Sequence, residues 1–209
     1  MATAHDMTDT RPALPPGIAP LAAHLREATR ASHRRLDHHP LLAALLQPSL
    51  TLTLYGRVLA ALHGAQGAIE SRLADFAPPA LLPPRLPVLS SDLAALGMDP
   101  FPLTVAVPPS AAAAEKLGLL YVVEGSNLGG AVIARQLVAS LPESAPRAFF
   151  GGAEGPRRWQ RFWTFAHTHD LKPDHFEAAA GAARACFEFY RLHLDRCLDC
   201  SDPGLRKNS

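Results

Sequence analysis

Two groups of residues in this chain have types and spacing suited to chemistry. The first is His33 with Asp37 one helical turn later, in the stretch LREATRASHRRLDHHPLL. Residues four apart share a helix face, so Asp37 is able to hold one nitrogen of the His33 ring. That contact fixes the tautomer and leaves the other nitrogen to ligate a metal. Arg26, seven residues earlier on nearly the same face, is placed to meet an anion beside such a ligand. The same spacing suits a half-exposed histidine in a plain i,i+4 His–Asp pair.

The second group is LGLLYVVEGSNLGGAVI, in which Gly125, Gly129 and Gly130 interrupt an otherwise helical run. Each glycine costs a helix interior roughly 1 kcal/mol against alanine, and a whole domain is stable by only ~5–15 kcal/mol. Gly118, Val122, Gly125, Gly129 and Val132 fall on one narrow face of the helical wheel. Two uses compete for that face. A neighbouring helix packs on the bare backbone in a small-x-x-x-small contact, or a flat cofactor lies against it with a kink between Gly125 and Gly130. A phosphate cradle is excluded, because GSNLGG lacks the G-x-x-x-x-G-K-[ST] arrangement and no strand precedes it.

The remaining candidates are weaker. Of the ten histidines, His38 and His39 stand beside Pro40 and read as solvated cap residues. His167, His169 and His175 lack the i,i+4 pairing and acidic partners of a zinc site. Cys197 and Cys200 form a lone C-x-x-C that reads as surface thiols. With Cys186 they make three cysteines, too few for a disulfide framework, and a reducing compartment fits best.

The elements that must position these residues are helical throughout. Alternation of the strand type is hard to find, and the 20 prolines cluster between helical segments as stops. The spacing predicts helices over Pro20 to Asp37, Leu52 to Phe76, Ser110 to Leu141, Gly155 onward and Pro173 onward, with Ser110 capping the long third one. A short helix is expected after Ser90 or Ser91, ending near Gly97. The expected architecture is all-α, about six to eight helices in a bundle. Residues 1–18 read as a flexible tail, 19–200 as a single helical domain and 201–209 as a C-terminal tail.

A net charge of +1 argues against binding nucleic acid by bulk phosphate attraction. MATAHDMTDTRPALPP has no apolar signal region. The run Met98 to Ala114 comes closest to a membrane span, and its prolines break it. The chain reads as soluble and cytoplasmic.

Together, the histidine segment and the glycine segment resemble the proximal and distal helices of haem oxygenases, in particular the bacterial biliverdin-producing branch. The resemblance covers roughly residues 20–198 and implies a haem-oxygenase-like helical bundle. It implies that haem is both cofactor and substrate, cleaved with O2 and reducing equivalents to biliverdin, carbon monoxide and free iron. By this likeness His33 is the axial ligand of the haem iron and Asp37 the acid near it. Arg26 meets a propionate, and Phe187 stands at an aromatic wall position. Gly125 and Gly129 match the glycines that press on the haem face, with Ser126 a candidate partner for distal waters.

The partners so implied are an electron donor, such as a ferredoxin or flavin reductase, and a bilin-binding photoreceptor as one destination of the product. The chain departs from the animal pattern, where an aspartate follows the first distal glycine. Ser126 and Asn127 stand there instead. Basic propionate partners on the penultimate helix are also missing, and Trp159 and Trp163 fall about there. The alternative on the same fold is a non-catalytic haem-binding carrier or sensor. A thiaminase-like hydrolase is a further rival, with Glu70 and Cys186 as its candidate groups.

Overall fold

The computed structural model describes Pro15, residues 17–151 and residues 154–199. Seven α-helices and one 3₁₀ turn lie among these described residues, with no strand. The helices are α1 (Ala19–Asp37), α2 (Pro40–Ala44), α3 (Leu52–Leu73), α4 (Leu86–Ala95), α5 (Ala113–Ser140), α6 (Gly155–Thr168) and α7 (Phe176–Asp199). The 3₁₀ turn Pro173–His175 leads into α7. The all-α bundle expected from the periodicity is the observed one. Cys200, most of the expected N-terminal tail and the expected 201–209 tail lie outside the described residues.

Prolines open several of these helices, at Pro20, Pro40, Pro87 and Pro156. Their missing N–H is no loss in a first turn. Gly97 follows α4 with φ +63°, a left-handed turn that glycine makes without strain.

Several local expectations are corrected. The fourth helix starts at Leu86, so Ser90 and Ser91 are interior, and the Ser90 hydroxyl meets His63 Nε2 at 2.9 Å. Ser110 does not cap α5. The Glu115 carboxylate accepts from the N–H groups of Ala111 (2.7 Å) and Ala112 (3.0 Å) and closes the first turn itself. Helix α3, expected to run to Phe76, ends at Leu73. Cys197 is buried at 4% exposure rather than a surface thiol. At 28 residues, α5 is the described helix long and apolar enough to cross a bilayer, in place of Met98 to Ala114, but half of its apolar window is buried in the bundle.

His39 is the largest local surprise. It is 4% exposed and caps α2, a five-residue helix too short to show a period. Its Nδ1 accepts from Leu41 N–H at 3.3 Å. The ring proton therefore sits on Nε2, 3.2 Å from Asp195 Oδ1 on α7.

Helix α7 is the rail on which α1 and α5 are set. His24 reaches Glu177 at 3.3 Å, the His33 and Phe187 rings lie 5.4 Å apart, and His39 reaches Asp195. Partner numbers climb together, so α1 runs parallel to α7. On another side, Gly118 packs on Ala179 and Ala182, while Leu137 shares a core cluster with Leu194 and Cys197. So α5 also runs parallel to α7. Helix α6 is antiparallel to α5, with Gly155 against Asn127, Arg158 at Glu124, and Trp163 near Tyr121.

Burial lowers the His39 pKa from 6.5, opposed by Asp195 and aided by Arg191. A lowered folded value means the neutral ring stabilises the fold above the unfolded histidine value and that this contribution fades as pH falls below it. His39→Asn keeps an acceptor for Leu41 N–H without the titration. Thermal unfolding midpoints of the two proteins, followed from about pH 8 down to about pH 5, should converge on the acid side. Parallel curves would show that His39 does not titrate in this way.

Candidate functional site

On α1, the His33 ring is exposed and its Nδ1 lies 2.8 Å from Asp37 Oδ2. The hydrogen bond to Asp37 raises the imidazole pKa, with burial opposing it. In the neutral ring Nδ1 donates to Asp37, and Nε2 carries the free lone pair. Phe187 of α7, 5% exposed, meets the His33 ring edge-on. Arg26 is exposed and makes no ion pair among the described residues.

The glycine face divides in two. A Cβ on Gly118 would collide with the Ala179 carbonyl of α7, so this glycine serves helix packing. On Gly125 a Cβ would find the Trp159 ring at 3.5 Å, an ordinary contact. On Gly129 it would find nothing within 4 Å. Leu128 and Val132 on either side of that opening are 42% and 50% exposed. The face thus divides along the helix, closely packed at Gly118 and uncovered at Gly129.

The shared rail sets the height of these groups. Gly125 lies seven residues beyond Gly118, and Phe187 five to eight beyond Ala179 and Ala182. At 1.5 Å per residue both are ~10 Å farther along. His33, Phe187 and Gly125 therefore stand at one level, on α1, α7 and α5. Trp159 of α6 closes the side of Gly125, with its ring 5.4 Å from Tyr121 and stacked on Phe162 at 5.3 Å. On this level an imidazole stands on α1, an aromatic ring on α7 and, just beyond Gly125, exposed helix backbone at Gly129 on α5.

Behind the bare stretch lies a polar network that sequence reasoning missed. Arg158 grips Glu124 with two nitrogens at 2.6 and 2.9 Å, and its third donates to Pro83 O at 3.0 Å. Burial pushes the Glu124 carboxyl up, and the Arg158 fork pulls it back. Glu70 accepts from Arg85 N–H (2.6 Å), Leu86 N–H (3.0 Å) and the Gln66 amide (2.7 Å). Arg85 lies 4.1 Å over the Phe149 ring and donates to Phe149 O and, at 3.4 Å, to Ser126 Oγ. Burial, with the like charge of Arg158, lowers its pKa to about 10.

Ser126 itself donates to Val123 O at 2.7 Å, and Asn127 points back at Val123, Glu124 and its carboxylate. A charged residue inside the apolar run YVVEGSN was the available signal for this network.

The other candidates recede. Cys186 is fully buried and its thiol is pushed up by desolvation, which removes a nucleophile for hydrolysis. His169 packs on Phe76 and Phe165. No cluster of three or more metal-ligating side chains occurs among the described residues.

No family model matches the chain. It is 36% identical over 130 residues to the haem oxygenase of Xanthomonas campestris pv. campestris, which covers 58% of this chain and 77% of that protein. In fold it is similar to the NO- and CO-bound haem oxygenase of Neisseria meningitidis, with a TM-score of 0.71 at 22% identity over 86% of this chain and 92% of that one. Haem oxygenase-1 of the cyanobacterium Synechocystis, solved with haem, gives a TM-score of 0.64 at 15% identity over 86% and 95% of the two chains. That of Leptospira interrogans gives 0.63 at 17% identity over 84% and 98%.

The divided glycine face makes opposite predictions for one substitution. Gly118→Ala should destabilise the fold by about 1–3 kcal/mol through overpacking. Gly129→Ala, with open space around it, should stabilise the ligand-free protein by about 0.8–1 kcal/mol through helix propensity. Urea unfolding of both variants measures this, and a destabilised Gly129→Ala would mean that the opening is filled.

Proposed function

The chain belongs to the haem oxygenase family, and from that premise we propose that it cleaves haem to biliverdin, carbon monoxide and iron, consuming O2 and reducing equivalents. The carrying observation is the level shared by His33 and the bare backbone of Gly125 to Gly129. Haem fits these residues. The donor is an imidazole whose second nitrogen is engaged, the walls are aromatic and aliphatic, and a Cβ at Gly129 would stand in open space.

In this reading His33 holds the haem iron through Nε2. Asp37 keeps the proton on Nδ1 and fixes the ring orientation. A neutral imidazole avoids the electron push of a thiolate, which favours O–O cleavage. Haem, when bound, supplies both the redox iron and the macrocycle that is cut.

This reading places a haem cleft between α1 and α5, where Gly125, beside the Trp159 ring, and Gly129 would let helix backbone approach the ring face, because neither has a Cβ. Phe187 and Trp159 would border the ring, and Arg26 would meet a propionate from the exposed side of α1. The Ser126 proton is committed to Val123 O and its oxygen faces Arg85. Its part would therefore be to orient a distal water by accepting from it, not to pass on a proton itself. Electrons come from a separate donor, a ferredoxin or a flavin reductase.

The test is absorption spectroscopy of the protein titrated with hemin, then given reductant in air with catalase present. A Soret band should form, then decay as a red-absorbing bile pigment grows. His33→Ala should lose the axial ligand and most turnover. Gly129→Ala should bind hemin but make little pigment. Hemin that binds and stays intact in the unaltered protein would transfer the reading to a carrier or sensor. An unchanged ferric spectrum in His33→Ala would remove His33 from the site.

A further inference from the structure

The buried ion pair behind the cleft is costly to form and is not needed to join α5 to α6. Removing two charges from water is repaid only by good geometry, and an apolar pair of similar volume serves stability as well or better. What a bidentate fork adds is register. Here its position in the chain is informative. Glu124 immediately precedes Gly125, and Arg158 immediately precedes Trp159. The fork therefore lies one residue from the place where the Trp159 ring covers Gly125.

Every nitrogen of Arg158 is engaged, with Glu124 twice and Pro83 O once. The two side chains are 2% and 11% exposed. One turn away, Gly155 rests so close to Asn127 O that a Cβ there would collide, and the Asn127 amide reaches Glu124 Oε2 at 3.3 Å. Helix α6 is thus pinned to α5 at Glu124 and Asn127, and the Trp159 ring lies beside Gly125 between these two.

We infer that the Glu124–Arg158 pair is a positioning element that sets the height of the Trp159 ring over Gly125 and thereby the in-plane seating of haem in the cleft. This rests on the haem-cleaving reading for its second half only. Neither residue touches the substrate, and both act through Trp159. A ring held at a fixed height admits one rotational seating of the macrocycle and excludes another, so the pair selects which meso carbon faces the bare backbone.

Arg158→Lys tests this, because it keeps the charge and loses the fork. The chain has two tryptophans, so its NMR spectrum holds two indole N–H resonances, and Trp159→Phe assigns them. In ligand-free Arg158→Lys the Trp159 resonance should move or broaden while that of Trp163 stays. In the hemin complex with cyanide, the hyperfine-shifted haem methyl signals should report a change of about tenfold in the ratio of seatings, the order expected for one lost charge-assisted bond.

An unmoved Trp159 resonance overturns the inference. So does a moved one with an unchanged methyl pattern. If Arg158→Lys does not fold, Glu124→Leu with Arg158→Leu leaves no unpartnered charge and replaces it. If the unaltered protein takes up no hemin, the haem-cleaving reading falls, and the indole resonance alone decides whether the pair positions Trp159.

Discussion

The backbone contact between α5 and α7 at Gly118 is the constraint on which the rest depends. With no side chain there, α5 closes onto Ala179 until its own backbone is the contact surface. The same face two turns later meets no α7 atom within reach of a Cβ. The helix pair is thus closed tightly at one end and left bare at the other. Glycine is the residue that serves both ends, for different reasons. At Gly118 its small volume is needed against protein, and at Gly129 it leaves backbone uncovered, where the proposed haem would lie.

The parallel run of α1, α5 and α7 brings the candidate residues to one level. Because α7 carries partners for both other helices, one turn of α7 at Phe187 fixes the level of His33 on one flank and of Gly125 on the other. The haem-cleaving chemistry needs an imidazole on one face of a flat ring and exposed backbone on the opposite face. A bundle with α7 between them meets that need without a loop contributing to the alignment. Leu128 and Val132, beside Gly129, are exposed.

Buried polar groups gather on one side of α5. Glu124 pairs with Arg158, Arg158 also donates to Pro83 O, and Glu70 accepts from the N–H groups of Arg85 and Leu86. This arrangement stands in the region where the animal pattern has a distal aspartate. Ser126 sits at the boundary, bonded to Val123 O and reached by Arg85. The polar side of α5 is therefore organised by arginines and carboxylates, and the haem side by absence of side chains.

What the sequence determined by itself was local. The 3.6-residue period marked the long helices and, with them, the all-α bundle. The four-residue spacing placed Asp37 against His33, and a 2.8 Å contact is what such spacing produces on a helix. The unusual bareness of Gly125 to Gly130 was legible too. The tertiary structure decided everything that joins distant residues. It separated Gly118 from Gly129, which a helical wheel puts on one face. It buried His39 against Asp195 and buried Cys197, both of which looked exposed beside turn signals and chain end. It paired Glu124 with Arg158, 34 residues apart, and brought His33 level with Gly125. Periodicity reports which way a side chain faces on its own helix. Only the packing of one helix on another decides what stands opposite it.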